Sequence, residues 1–280
     1  MTIKETLNKG ILKLKENNVD SAVAKSRIIL SHLLEKDKGY LITNDSEKVS
    51  KEVNTVFTEC IKELTNGIPM QYITNKKEFM KMNFYVDSHV LIPREDTEIL
   101  VEEVISLSKN YIKDIEILEM CTGSGAICIS LAKNVEKCTI TASDISKQAL
   151  KVANKNAKAH KVQDKIEFIC SDLYNDIPSN KYDIIVVNPP YIKTTEISSL
   201  PSDVQHEPII ALDGGSDGLE FYKRIIKGLN KYIKKGGYLC LEIGYNQKEE
   251  VMGLLKMKEY KDIVTKKDLN GNDRVIIVKV

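Results

Sequence analysis

The feature that most constrains the fold is an alternation of short apolar runs with amphipathic stretches, which begins near residue 93. The apolar runs lie at residues 115–120, 139–143, 166–170, 184–187 and 238–243. Short apolar runs separated by helical sequence are typical of strands that are buried on both faces of a parallel sheet. We therefore predict an α/β domain over residues 93–280, with a doubly wound, mostly parallel sheet.

The C-terminal end of this region departs from the parallel pattern. Its last two apolar runs, 263–267 and 275–280, are separated only by a turn around 270–273. A parallel crossover needs a dozen or more residues, so a turn this short permits only an antiparallel pair. The sheet is therefore predicted to end in an antiparallel hairpin.

The first quarter of the chain has helical periodicity instead. Thr2 and Glu5 form a capping-box pattern ahead of an apolar stripe. A later helix, predicted to open after 44–46, places apolar residues on one face at helical spacing: Val49, Val53, Val56, Phe57, Cys60, Ile61 and Leu64. Each stripe needs a partner, so residues 1–75 are predicted to form a small helical bundle. The irregular alternation in 76–92 predicts a β-hairpin linker.

Charge and cysteine usage limit the class of protein. The 41 basic and 40 acidic residues give a net charge of +1, which argues against stable binding to nucleic acid or an anionic membrane. The six cysteines form no Cys-x-x-Cys pair and the four histidines have no metal-ligand spacing, so no metal site is predicted. The sequence contains neither a signal-peptide pattern nor an apolar run of ~20 residues, and we expect a cytoplasmic protein.

A glycine turn follows the first strand of the predicted sheet. It consists of Cys121, Thr122, Gly123, Ser124 and Gly125. Glycines at such a turn let the backbone approach a ligand closely, with free amides at the start of the next helix. A dinucleotide fingerprint would need a third glycine at position 128, where this chain has Cys128, and this weakens the case for NAD.

Carboxylates stand at the ends of the next two strands. Asp144 lies 21 positions after Gly123, where an acidic residue can accept hydrogen bonds from both ribose hydroxyls of a nucleotide. An alternative role for Asp144 is that of an ordinary helix N-cap. Asp172 ends the third strand, where it could accept from an adenine amino group. Together these positions favour an adenosyl ligand.

The end of the fourth strand indicates the chemistry. Here Asn188, Pro189, Pro190 and Tyr191 follow an apolar run. The two prolines stop the strand and remove two amide donors. The Asn188 side-chain oxygen and the Pro189 carbonyl can accept both hydrogens of a planar NH2 group, and Tyr191 can pack against that group. The alternative is a rigid turn with no catalytic role.

This combination of motifs resembles the S-adenosylmethionine-dependent methyltransferases that modify planar amino groups. Further segments resemble the bacterial release-factor glutamine methyltransferases, the HemK family, over nearly the whole chain. These segments are Met70–Ile73, Glu78–Phe79, Leu91–Glu98, Glu207–Pro208, Ala211–Leu219 and Asn272–Val275. Cys121 stands where glycine is commoner in the family. The resemblance implies a class I methyltransferase sheet preceded by a helical substrate-recognition domain.

The resemblance also implies a reaction and its residues. The family methylates the side-chain amide nitrogen, N5, of the glutamine in the Gly-Gly-Gln motif of class I peptide-chain release factors, and it leaves S-adenosylhomocysteine. By this resemblance Cys121–Gly125 would hold the cofactor, Asp144 its ribose, and Asp172 and Leu173 its adenine. Asn188, which would also lie beside the cofactor, and Pro189 would bind the substrate amide. Pro190 and Tyr191 would line the slot. We expect a monomer whose partner is a release factor.

Three alternatives stay open from the sequence. Glutamine methylation of a ribosomal protein would use the same catalytic residues. Amino methylation of DNA bases would require a basic groove and steep salt dependence of binding. An NAD-dependent oxidoreductase, or a binding module without catalysis, could share the fold.

Overall fold

In a computed structural model that describes all 280 residues, the chain divides into two units. The smaller unit comprises Met1–Lys76 and Pro201–His206, and the larger comprises Lys77–Leu200 and Glu207–Val280. The helices are α1 (Ile3–Glu16), α2 (Ala22–Leu34), α3 (Lys38–Thr43), α4 (Lys51–Thr65), α5 (Met70–Thr74), α6 (Thr97–Ser108), α7 (Ala126–Asn134), α8 (Lys147–Ala159), α9 (Ser202–Gln205), α10 (Glu220–Tyr232) and α11 (Lys248–Lys256). The strands are β1 (Lys77–Phe79), β2 (Met82–Phe84), β3 (Ile115–Met120), β4 (Cys138–Asp144), β5 (Ile166–Cys170), β6 (Tyr182–Val187), β7 (Ile233–Glu242), β8 (Ile263–Lys267) and β9 (Asp273–Lys279).

The smaller unit is a helical bundle around one apolar core. The capping box at Thr2 forms as predicted, with both reciprocal hydrogen bonds to Glu5. In the core, Gly10 of α1 lets the Phe57 ring of α4 approach closely, because an added Cβ would lie 2.6 Å from that ring. Helix α4 starts later than the sequence predicted: Ser50, and not a residue at 44–46, accepts from the Val53 backbone amide and caps the helix.

The larger unit is built on one seven-stranded sheet with the order β5-β4-β3-β6-β7-β9-β8. Strands β3 to β7 are parallel, and β9 pairs antiparallel with both β7 and β8. The predicted parallel sheet with a terminal antiparallel hairpin is therefore confirmed. Before the sheet, β1 and β2 form the short antiparallel hairpin.

Alternating side chains of each central strand pack on opposite faces of this sheet. On β3, Ile117 packs with one cluster, which includes residues of α6 and α7, whereas Leu118 packs with the other, which includes residues of α10 and α11. Strand burial on both faces explains why the sequence shows continuous apolar runs instead of alternation. The strand order reverses between β3 and β6, and in such sheets ligands bind at the carboxyl ends of the strands beside that point.

Candidate functional site

A cleft opens at the carboxyl edge of the larger unit, where the strand order reverses. It brings together most of the sequence-predicted residues, and those that line it are Cys121, Thr122, Gly123, Ser124, Asp144, Asp172, Leu173, Asn188 and Pro190. Gly125, Pro189 and Tyr191, which were also predicted, are not among its lining residues. One edge of the sheet therefore gathers three strand ends and the glycine turn into a single cavity.

The two glycines of the turn have different roles. Both are in the left-handed region, with φ of +53° at Gly123 and +79° at Gly125. No heavy atom lies within 4 Å of the position that a Cβ would take at Gly123, so this residue borders open space. At Gly125 an added Cβ would lie 3.1 Å from the Ala153 Cβ of α8. Gly123 thus allows a ligand to approach the backbone, and Gly125 allows α7 and α8 to pack.

Asp144 bridges the glycine turn and the loop after β4. Its Oδ2 accepts from the Gly123 amide at 2.8 Å, and its Oδ1 accepts from the Ser146 amide at 2.8 Å. Asp144 is not the cap of α8, because the Ser146 hydroxyl takes that role by accepting from Ala149. Burial raises the pKa of Asp144, against the backbone hydrogen bonds that lower it. Each carboxylate oxygen keeps lone pairs with which it can accept from further donors.

The residues around Asp172 supply an apolar pocket with a charged rim. Asp172 forms an ion pair with Arg224 of α10, with an Oδ2 to Nη2 distance of 2.6 Å. Ile145, Leu173 and Phe221 line the same part of the cleft. The sequence did not single out Ile145, Phe221 or Arg224 as site residues. Apolar side chains of this kind suit the faces of a planar ring, and a carboxylate beside them suits its amino group or a ribose.

The cleft thus fits an adenosyl group on its own chemistry. Gly123 leaves room at the backbone, Asp144 offers acceptors, and the pocket around Leu173 offers apolar surface. These are the features that a nucleoside with two hydroxyls and a planar base requires.

At the end of β6, the Asn188 side chain is held by a residue from another element. Its Nδ2 donates to the Thr97 hydroxyl, at the start of α6, at 3.3 Å. Pro189 and Pro190 are buried and cannot donate through their backbone nitrogens. The Tyr191 hydroxyl donates to Glu242 Oε1 at 3.5 Å, and burial raises the pKa of Tyr191.

Residues from two later segments hold the backbone of this Asn-Pro-Pro-Tyr turn. The Gly214 amide donates to the Ile192 carbonyl at 2.7 Å, and an added Cβ at Gly214 would lie 2.7 Å from the Tyr191 Cα. The Gln247 amide donates to the Tyr191 carbonyl at 2.9 Å. The glycine-containing motif at 211–219 therefore packs against the backbone of the Asn-Pro-Pro-Tyr turn, and this close approach explains the glycine at 214.

Two buried glutamates near the strand ends were not singled out from the sequence. Glu119 and Glu242 are essentially inaccessible, and burial raises the pKa of each to about 7. Glu119 Oε2 accepts from the Thr122 hydroxyl at 2.8 Å and from the Cys128 amide at 3.0 Å. The sequence could have indicated these two residues, because each glutamate interrupts an apolar strand run. Burying a carboxylate there costs free energy unless it accepts hydrogen bonds.

Arg94 and Glu207 form a further contact beside the cleft. Glu207, with only 1% of its side chain exposed, pairs with Arg94 and accepts from the Ile92 amide at 3.0 Å. Arg94 itself lines the cleft. Segments 91–98 and 207–208 both resemble the family. The Arg94–Glu207 pair holds these two segments together beside the cleft.

The fold and the cleft define a class I methyltransferase. A methyltransferase small domain model matches residues 95–204, and a PrmC N-terminal domain model matches residues 5–74. A methyltransferase from Pyrococcus furiosus shares the fold, with a TM-score of 0.53 at 16% identity over 79% of this chain and 98% of that one.

Full-length relatives give the family. The chain is 40% identical to a release factor glutamine methyltransferase of Clostridium acetobutylicum, over 99% of this chain and 98% of that protein. It is 37% identical to the protein of the same name from Clostridium botulinum, over 99% and 98%. The chain belongs to the release factor glutamine methyltransferase family. It is an enzyme of the S-adenosylmethionine-dependent class, and its cofactor is of that type. None of its helices has the length and apolar character needed to span a membrane.

Proposed function

We propose that this protein transfers a methyl group from S-adenosylmethionine to the side-chain amide nitrogen of the glutamine in the Gly-Gly-Gln motif of class I release factors. The observation that carries the proposal is the Asn188 amide, which lines the cleft while its Nδ2 is engaged by Thr97. That arrangement leaves Oδ1 free to accept from a planar NH2 group. The names of the full-length relatives support the substrate.

The cofactor half of the cleft would be formed by Cys121–Ser124 and Asp144, with Asp172 and Leu173 beside the adenine, while Gly125 lets the turn pack against α8. When bound, S-adenosylmethionine supplies an electrophilic methyl group on its sulfonium. Open space at Gly123 admits a ligand close to the backbone, and Asp144 has lone pairs for ribose hydroxyls. The apolar pocket at Leu173 would hold the base.

The substrate amide would be held by Asn188 and by the Pro189 carbonyl. An amide nitrogen is a poor nucleophile, so holding it in line with the methyl group is the main catalytic task. Hydrogen bonds from its two N–H groups to these oxygens fix the nitrogen and favour the positive charge that develops on it. Neither Asn nor Pro can accept a proton, and we infer that the proton leaves to water late in the reaction.

The helical residues 1–75 would recognise the protein partner, and residues 93–280 would catalyse methyl transfer. Residues 76–92 would link these two domains. The near-neutral charge of +1 favours a protein substrate over nucleic acid. We infer that the enzyme acts as a monomer.

The decisive experiment offers three substrates in parallel. Purified protein is incubated with isotopically labelled S-adenosylmethionine and a release factor, a set of ribosomal proteins, or DNA, and the label is mapped by mass spectrometry. The matched control is the same release factor with its Gly-Gly-Gln glutamine replaced by alanine. Label should appear on that glutamine alone and vanish in the control. Label on a ribosomal protein or on DNA, with none on the release factor, would overturn the proposal.

A further inference from the structure

Two neighbouring isoleucines stand exposed beside the cleft. Ile209 is 61% exposed and Ile210 is 52% exposed, and both belong to a short 3₁₀ helix that ends at Ala211. Single exposed apolar side chains are common on folded proteins, whereas contiguous apolar surface at a cleft is a feature of interaction sites. Ile210 and Ala211 line the cleft itself, together with Asn188 and Pro190. The apolar surface of this isoleucine pair is therefore continuous with the end of the cleft where the substrate amide would bind.

The backbone around the pair is held on both sides. Before it, the buried Glu207 forms an ion pair with Arg94. After it, the Leu212 and Asp213 amides both donate to the Ile209 carbonyl, each at 2.9 Å. The two exposed side chains thus stand on a fixed backbone, and a partner that covers them would not have to order that backbone on binding.

The same segment is joined to the Asn-Pro-Pro-Tyr turn. The Ile192 amide, directly after this turn, donates to the Leu212 carbonyl at 3.0 Å, and Ile192 forms a parallel β-bridge with Asp213. The pair is thus two to four residues from a backbone contact with the chain that carries Asn188. A polypeptide whose glutamine reached Asn188 would therefore lie beside the pair.

The charged groups of the cleft offer little attraction to a charged partner. Arg94 pairs with Glu207, and Arg224 pairs with Asp172. Both arginines that line the cleft therefore have an acidic partner. Apolar contact at the exposed isoleucines is the complementary way in which this edge of the cleft can bind a protein surface.

We propose that Ile209 and Ile210 form a docking surface for the release-factor loop that carries the target glutamine, and that apolar side chains beside that glutamine pack on them. This inference rests on the proposed function, since it takes the occupant of the cleft to be a glutamine on a protein loop. Two glycines and a carboxamide offer little apolar surface of their own. The residues that flank them must therefore supply much of the binding, and covering two large apolar side chains does so.

The first test truncates the pair. The double variant Ile209→Ala/Ile210→Ala should raise KM for the release factor by about 10-fold and leave kcat within about twofold of wild type, because it removes binding that ground state and transition state share. The matched control is Ile112→Ala, since Ile112 is 99% exposed and precedes β3, at the amino edge of the sheet. A KM of the double variant within about twofold of both the wild type and this control would overturn the proposal.

The second test asks whether apolar character is what matters. Ile209→Leu/Ile210→Leu keeps the apolar area and should keep KM near that of the wild type. Ile209→Asn/Ile210→Asn has polar side chains of similar size and should resemble the alanine variant. These differences should persist at high salt, because apolar contact is not screened as ion pairs are. A wild-type KM for the asparagine variant, or a loss that disappears at high salt, would contradict apolar docking.

The third test separates a substrate surface from a cofactor contact. Ile145, which is 50% exposed, lines the cleft beside Leu173, where the base would lie. Ile145→Ala should weaken binding of S-adenosylhomocysteine, measured by calorimetry, whereas Ile209→Ala/Ile210→Ala should leave it unchanged. If the double variant lost as much cofactor affinity as Ile145→Ala, the pair would be a cofactor contact and the proposal would fail.

Binding measured without turnover keeps this inference distinct from the proposed function. The affinity of the protein saturated with S-adenosylhomocysteine for a release factor, again by calorimetry, should fall about 10-fold in the double variant. If the wild type binds the release factor but does not methylate it, the proposed function fails while this affinity still tests the pair. If the wild type methylates and the double variant binds as tightly, the docking surface fails alone. Absence of binding by the wild type would overturn both.

Discussion

The two halves of the cleft are each built on a buried glutamate, but only one of these side chains accepts from a backbone amide. In the cofactor half, Glu119 accepts from the Cys128 backbone amide and from the Thr122 hydroxyl, and Asp144 accepts from two more backbone amides. In the amide half, at Asn188–Tyr191, Glu242 accepts from the Tyr191 side-chain hydroxyl, and the Thr97 hydroxyl accepts from the Asn188 side-chain amide. Backbone amides cannot reverse a hydrogen bond, whereas hydroxyls and carboxamides can.

The difference indicates what each half can tolerate. The backbone amides of the cofactor half remain hydrogen-bond donors at any pH, which suits the binding of one invariant cofactor. The side chains of the amide half can present either a donor or an acceptor, so the groups that hold them decide which atom faces the cleft. Substitutions in the amide half should therefore change turnover, and those in the cofactor half should change affinity.

The largest expected effect is that of Asn188→Ala. We expect methyl transfer to fall by about 100-fold or more, comparable to the loss of one preorganised polar group at a reaction centre. Binding of S-adenosylhomocysteine, measured by calorimetry, should stay largely intact, because the cofactor half keeps its own contacts. If Asn188→Ala turned over at close to the wild-type rate, the amide half could not be distinguished from the cofactor half by its effect on turnover.

The pH dependence of stability gives the next effect. The pKa of Glu119 and of Glu242 is raised from 4.5 to about 7, so the folded protein holds these protons more tightly than the unfolded chain. Their stabilisation is complete below pH 4.5 and is lost as the pH rises through 7, by about 3 kcal/mol for each group. Denaturant unfolding across this range should show a smaller loss in Glu119→Gln and in Glu242→Gln.

Asp144→Ala probes the cofactor half. We expect the affinity for S-adenosylhomocysteine to fall by about 10- to 100-fold, which corresponds to ~1.5–3 kcal/mol for hydrogen bonds to a charged group. The rate at saturating cofactor should change far less. Since Ser146 caps α8, a purely structural effect through that helix is not expected. An unchanged calorimetric affinity would contradict a ribose contact.

Much of this site was predictable because it is local in sequence. Strand ends carry Asp144, Asp172 and Asn188, and the parallel order brings these ends to one edge. The glycine turn and the antiparallel hairpin likewise follow from short segments. Such features depend on residues within a few positions of each other, and periodicity and turn chemistry report on them directly.

The missed residues are those whose role depends on distant partners. Thr97 lies 91 positions from Asn188, and Glu242 lies 51 from Tyr191, so no spacing rule joins them. The same applies to Pro201–His206, which groups with the smaller unit, where His206 contacts the Asn66 carbonyl at 3.0 Å. Only the tertiary structure brings such residues together.

The smallest expected effect is that of Gly123→Ala in the cofactor half. Comparison with Gly271→Ala distinguishes backbone strain from the approach of a ligand. Gly123 and Gly271 both have positive φ, +53° and +85°, and neither has a heavy atom within 4 Å of an added Cβ. Gly123→Ala and Gly271→Ala should therefore each lower the free energy of unfolding by about 1 kcal/mol, from the left-handed backbone alone. Gly123 borders the cleft and Gly271 lies in the β8–β9 turn, so only Gly123→Ala should also weaken cofactor binding. Equal cofactor affinities for the two variants would mean that Gly123 serves the turn and not the ligand.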